Sequence, residues 1–191
     1  MLHYKNRQLA EGSEMASFDY IHGRGILARC VLPVTRYLRF SNAMRYCKPG
    51  ECHLDIGCGD GFFLRRSPCS EAFGLDMRMG DPAIDSQNPL PFESSQFDLV
   101  TMLAVLEHLT EPRAVIQDIA RVLKPGGRLV LTTPKQAADK LIRIYVRDLD
   151  DEHETYFEEG SMKKLVSGLL VPVGYHTFLA GLNQAFAAQK Q

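Results

Sequence analysis

The stretch His53-Leu54-Asp55-Ile56-Gly57-Cys58-Gly59-Asp60-Gly61-Phe62-Phe63-Leu64 decides how this chain is read. A short apolar strand runs into three glycines at every second position, and a fresh apolar run follows. Glycine has no Cβ, so backbone at such a turn comes close to a bound ligand. A helix starting at about Gly61 would aim its free N–H groups into the same space. Asp55, at the strand end, adds a carboxylate, which suits a ligand with positive charge better than a pyrophosphate. The third glycine also stands one place too early for the dinucleotide pattern G-x-G-x-x-G, so a hydride-transfer domain is the weaker reading.

A chain of 191 residues fits one domain with a sizeable core. With 45% hydrophobic and 24% charged residues it has a globular composition, and a formal net charge of −1 speaks against a dedicated nucleic-acid binder. No apolar run reaches the length of a membrane span and no signal-peptide core is present. Cys30, Cys47, Cys52, Cys58 and Cys69 form no C-x-x-C pair, which predicts reduced thiols, a cytoplasmic setting and no metal site. From Tyr20 to Gly50 there is no acidic residue, while Arg24, Arg29, Arg36, Arg39, Arg45 and Lys48 are basic. Interleaved apolar residues predict two amphipathic helical pieces broken near Pro33. Their basic face is either solvated or a contact surface for an anionic substrate or membrane surface.

Outward from the glycine turn, strands and helices alternate. Residues 1 to about 19 are polar and read as frayed or loosely docked. Strands are expected near Cys52–Ile56, Ala72–Leu75, weakly at Pro82–Asp85, at Phe97–Val105 and at Leu129–Thr132. Helices are expected at Gly61–Arg66, from Pro112 to Lys124, at Gln136–Val146 and at Glu158–Val166, with two strands closing the chain around Gly181–Asn183. This is an α/β chain: a Rossmann-like, open, mostly parallel sheet with helices on both faces. The closing strands are linked too tightly for a crossover, so one antiparallel strand lies near the edge. Ligands of such sheets sit at the carboxyl ends of the strands. Asp76 ends the second strand, where a carboxylate can accept from two ribose hydroxyls. Asp85 and Ser86 follow the third, and Leu103, Glu107 and His108 follow the fourth.

These segments together resemble the class I S-adenosylmethionine-dependent methyltransferases of the small-molecule type. The resemblance is carried by LDIGCGDG at 54–61, GLD at 74–76, LPFESSQFDLV at 90–100, VLEHLTEP at 105–112 and LKPGGRLVLTTP at 123–134. HETYF at 153–157 and LNQAFAAQK at 182–190 resemble bacterial members. It implies a single methyltransferase domain over 1–191, with a helical cap (1–48), a cofactor-binding core (49–134) and substrate-side helices and closing strands (135–191). It implies S-adenosylmethionine as cofactor, with S-adenosylhomocysteine as product. Asp55, Gly57, Cys58, Gly59 and Gly61 would line the methionine part, Asp76 and Met77 the ribose, Asp85 and Ser86 the adenine, and Leu103 the cofactor from the fourth strand. Methyl transfer is an in-line displacement resting on alignment, so no catalytic residue is obligatory. Where the acceptor must lose a proton, His108, Glu107, His153 and Tyr156 are the candidates. The implied acceptor is a small molecule or glycan-type metabolite. The alternative is a methyltransferase-like binding or regulatory subunit that holds the cofactor without catalysis.

Only eight residues separate Asp76 from Asp85, too few for the crossover helix the family places between its second and third strands. A bare sheet edge is therefore expected there, covered by the N-terminal helices, a second copy in a homodimer, or a reduced sheet. Acceptor recognition falls to residues near 15–40 and 135–158, among them Tyr20, His22, Arg143, Tyr145 and Arg147.

Overall fold

The apolar run Cys52–Ile56 lies inside an eight-stranded sheet, seen in a computed structural model that describes residues 1–5, 8–9, 26–82, 84–138 and 155–191. The strands are β1 (Leu2–Lys5), β2 (Gln8–Leu9), β3 (Cys52–Ile56), β4 (Glu71–Leu75), β5 (Phe97–Leu103), β6 (Leu123–Pro134), β7 (Val171–Phe178) and β8 (Asn183–Gln189), ordered β2-β1-β4-β3-β5-β6-β8-β7. The central strands β4, β3, β5 and β6 pair in parallel. Near one edge β8 runs antiparallel to both β6 and β7, as the tight closing link requires.

Among the described residues the longer helices are α1 (Ile26–Met44), α2 (Pro112–Val122) and α3 (Glu159–Val166). Alternation sends Leu54, Ile56, Val100, Met102, Leu129 and Leu131 to one face, where they pack with Val115, Ile116 and Ile119 of α2 and Met162 and Val166 of α3. Leu99, Val130 and Ala187 face the other way, against Phe63 and Ala43 of α1. Pro112 opens α2 as its first residue, where a missing N–H costs nothing. Glu158 and Ser161 close a reciprocal capping box on α3.

Five expectations are revised. The helix α1 runs unbroken through Pro33; the sheet beneath it supplies packing that offsets a lost backbone bond. No α-helix follows the glycine turn. Gly61 sits at φ +70° and Pro68 comes soon after, so the chain makes only a 3₁₀ turn, Leu64–Arg66. Neither Pro82 nor Asp85 is in a strand. The sheet position beyond β4 belongs instead to β1, paired antiparallel with Leu2 opposite Gly74 and Lys5 opposite Glu71. The N-terminal residues expected to fray thus cover the edge, with Leu2 and Tyr4 buried against Cys58, Leu64 and Ala72. Finally, β6 starts at Leu123, directly after α2, and its Lys124-Pro125-Gly126-Gly127 segment pairs with Lys190. The helix expected at Gln136–Val146 is seen as helical at 136–138, and the rest lies outside the described residues. Leu2–Lys5 and Gln8–Leu9, within the expected helical cap, are strand.

Candidate active site

Gly57, Gly59 and Gly61 all take positive φ (+75°, +53° and +70°). Their reasons differ. A Cβ on Gly57 would stand 2.2 Å from Val105 Cγ2, and one on Gly61 would press on Leu2 Cδ1 and Tyr4 Oη at 3.1 Å each. At two of the three glycines, then, the space a Cβ would fill is taken by protein side chains. The turn hangs from β4: the N–H groups of Gly57 and Cys58 both donate to the Leu75 carbonyl, at 2.8 and 3.2 Å. The Cys58 side chain points away toward β1 and is buried, and that burial raises its thiol pKa.

Two carboxylates converge on the turn. Asp76 Oδ2 accepts from Gly59 N at 2.8 Å and its Oδ1 from Arg78 N at 2.9 Å. Each carboxylate oxygen keeps a further lone pair for a ligand hydroxyl. Asp55 is 3% exposed and takes a 2.6 Å hydrogen bond from Thr101 Oγ1. Burial pushes its carboxyl up to about 7, against the Thr101 bond that lowers it, while nearby Asp76 raises it further. Arg36 on α1, whose charge acts the other way on Asp55, pairs with Asp60 and lies over the Phe62 ring, pinning α1 to the turn. Arg39 donates to Asn183 Oδ1. Two arginines of the basic segment are therefore used within the fold.

Beyond Asp76 lies a cavity of about 220 Å³ between Leu75, Asp81, Pro82, Ile84 and the prolines Pro89 and Pro91. Asp81 Oδ2 accepts from Asp76 N at 3.0 Å, tying that wall to the strand end. Asp81 and Ile84 escaped the sequence reading, because nothing in their spacing shows that the chain folds back beside Leu75. Asp85 is not brought to this cavity. Its Oδ1 caps its own loop, accepting from Gln87 N at 2.7 Å and Asn88 N at 2.8 Å, which lowers its pKa. Ser86 N donates to Glu111, and both Asp85 and Ser86 border a shallow hollow on the α2 side instead. Met77 is 65% exposed on the next turn. Leu103 ends β5 half-buried; beyond it Glu107 is 1% exposed and His108 is exposed. Tyr156 is half-buried, and His153, Tyr20, His22, Arg143, Tyr145 and Arg147 lie outside the described residues. Among the described residues no cluster of metal-ligating side chains occurs, and no helix is long and apolar enough to cross a membrane.

An open parallel sheet with a glycine turn and two acids at adjacent strand ends is a nucleoside-cofactor domain by construction. A family model described as a methyltransferase domain matches residues 32–169. The chain belongs to that family, the class I S-adenosylmethionine-dependent methyltransferases. It is similar to the ubiquinone biosynthesis O-methyltransferase of Vibrio parahaemolyticus, at 28% identity over 148 residues, covering 61% of this chain and 62% of the relative. The chain thus spans about three-fifths of the length of such curated relatives. Among solved structures, a Haloferax volcanii methyltransferase in complex with the Trm112 methyltransferase activator aligns with TM-score 0.65 at 15% identity, over 85% of this chain and 93% of that one. A SAM-dependent methyltransferase from Aquifex aeolicus aligns with TM-score 0.59 at 16% identity, over 83% and 98%. These last two likenesses concern the fold.

Proposed function

We propose that the chain moves a methyl group from S-adenosylmethionine to a hydroxyl of a small-molecule or glycan-type acceptor. The observation that carries this is the pair of carboxylates, Asp55 and Asp76, at one glycine turn whose arginines, Arg36 and Arg65, are both engaged by Asp60. Such a turn repels phosphate and attracts a ligand bearing ammonium and sulfonium charge. When bound, S-adenosylmethionine supplies an electrophilic methyl group on its sulfonium sulfur. Asp55 and the backbone of Gly57, Cys58, Gly59 and Gly61 hold the amino-acid end. Asp76 takes the ribose hydroxyls through its remaining lone pairs, with Met77 beside it. The cavity lined by Leu75, Asp81, Pro82 and Ile84 takes the base, in place of Asp85 and Ser86. Leu103 closes the site from β5.

A hydroxyl acceptor follows the O-methyltransferase relatives. We assign its proton to His108, whose imidazole is exposed, ahead of Glu107, which is buried. Catalysis otherwise rests on holding acceptor, methyl and sulfur in line.

Thermal-shift measurements with S-adenosylmethionine, S-adenosylhomocysteine and NAD test the cofactor. A ligand at about 100 times its Kd adds roughly 2.7 kcal/mol of stability, and Asp76→Ala removes most of that gain. No shift with either adenosyl compound, in protein freed of carried-over ligand, overturns the reading. Release of S-adenosylhomocysteine across a panel of phenols, alcohols and glycans tests the acceptor. Binding without turnover on any of them favours a cofactor-holding subunit.

A further inference from the structure

Beneath the glycine turn three polar side chains stand in line where an apolar strand pair would take valine or isoleucine. His53 and Asp55, two residues apart on β3, share its α1-facing side, and Thr101, the register partner of Asp55 on β5, bridges them. Thr101 Oγ1 donates to Asp55 Oδ1 at 2.6 Å and lies 2.8 Å from His53 Nε2. His53 and Thr101 are fully buried. Since the hydroxyl proton goes to Asp55, the hydroxyl accepts from His53, so Nε2 carries the ring proton and Nδ1 lacks a partner among the described residues. Desolvation lowers the His53 pKa to about 3, and the ring stays a neutral donor. The line has a direction: imidazole to hydroxyl to carboxylate.

The groups around it leave Asp55 as the one that exchanges a proton. From β4, Asp76 disfavours its charge, and from α1, Arg36 favours it but is paired with Asp60. The Cys58 thiol of the turn is held neutral by burial. The Phe63 ring packs on His53 with centroids 4.9 Å apart.

We infer that the α-ammonium of the cofactor, entering this turn, displaces a proton from Asp55 to solvent, and that Thr101 and His53 are the positioning residues that set the pH at which it does so. The exchange presupposes the cofactor placement proposed above. Its balance is simple: one O–H bond of Asp55 breaks, the proton leaves to buffer, and the ligand ammonium supplies the charge that the carboxylate then faces. Binding that releases a proton tightens as pH rises through about 7 and levels off above it. The ligand's own α-amino group keeps its charge below about 7.7, so the interval from pH 5.5 to 7.0 isolates the protein's proton.

The test is calorimetric titration of the full chain with S-adenosylhomocysteine across that interval, in pairs of buffers with different ionisation enthalpies. Affinity is expected to rise by up to about tenfold per pH unit, with close to one proton released per ligand at the acid end. Thr101→Val keeps the shape but removes the bond that favours the carboxylate, and shifts the midpoint to higher pH. His53→Leu, which leaves the hydroxyl without its donor, shifts it the same way by less. Asp55→Asn abolishes the pH dependence. Circular dichroism and melting curves establish that each variant is folded. Constant affinity with no proton release overturns the exchange, as does a Thr101→Val variant that binds more weakly by the same factor at every pH. No binding at any pH overturns the cofactor placement itself, and the exchange with it.

Discussion

At Gly57 the backbone lies at φ +75° and the space a Cβ would fill is taken by Val105. Gly57→Ala therefore combines left-handed strain with overpacking, and should cost about 2–4 kcal/mol in urea denaturation. Val105→Ala in the same chain opens that space and should return part of the loss; an equal loss in the double variant would refute the packing account. Residues proposed for the site differ in how openly the sequence shows them. Asp55 and Asp76 were legible because each stands at the carboxyl end of an apolar strand, Asp55 one residue before its last and Asp76 one after. His53 and Thr101 were not, because only the β3–β5 register puts a histidine from one segment and a threonine from another on the same carboxylate. Asp85, expected at the adenine, bonds its own loop for a local reason: an Asp followed by Ser-Gln-Asn caps the turn it opens.

Among elements, β3, β5 and α2 stood out in the sequence through long apolar runs and clear stops. The β1 strand did not: Leu-His-Tyr-Lys alternates over too few residues to be told from a loop, and its partner is read only in three dimensions. Its contribution is substantial all the same. Tyr4 is 2% exposed and packs beside Gly61. Tyr4→Ala should cost about 3 kcal/mol or more in chemical denaturation. Because the same cluster backs Cys58 and Gly61, it should also weaken S-adenosylhomocysteine binding. A variant that melts earlier yet binds as tightly once folded would separate the strand from the site. The basic segment was visible as composition, but the destinations of its arginines were not: Arg36 goes to the glycine turn and Arg39 to the start of β8.

Across the whole molecule, the two buried titrating groups of β3 act on stability in opposite directions. His53 must take up a proton when the chain unfolds below about pH 6.5, because its folded pKa is lowered to about 3. That contribution to stability is present above pH 6.5 and is lost as pH falls toward 3. Asp55 must release a proton on unfolding above about pH 4, because its folded pKa is raised to about 7. That contribution is present below pH 4 and is lost as pH rises toward 7. Between about pH 4 and 6.5 the two nearly cancel, so the pair leaves the parent chain's stability almost level there. Asp55→Asn should then gain stability with rising pH, by up to about 1.4 kcal/mol per unit, and His53→Leu should lose it at a similar rate. Urea midpoints at pH 4.5, 5.5 and 6.5 read both slopes, and two parallel curves would contradict them. The open α/β plan was legible as a whole because alternating apolar segments leave few ways to cover a parallel sheet; which strand caps its far edge was not. That edge also sets an order of events. Leu2–Lys5 has no sheet partner to dock on until residues 71–74 are in place, so a growing or refolding chain carries Leu2 and Tyr4 bare until β4 has formed. The β1 amides should gain protection from hydrogen exchange no earlier than those of β4, and in the interval before they do the open β4 edge can pair with another copy of the chain.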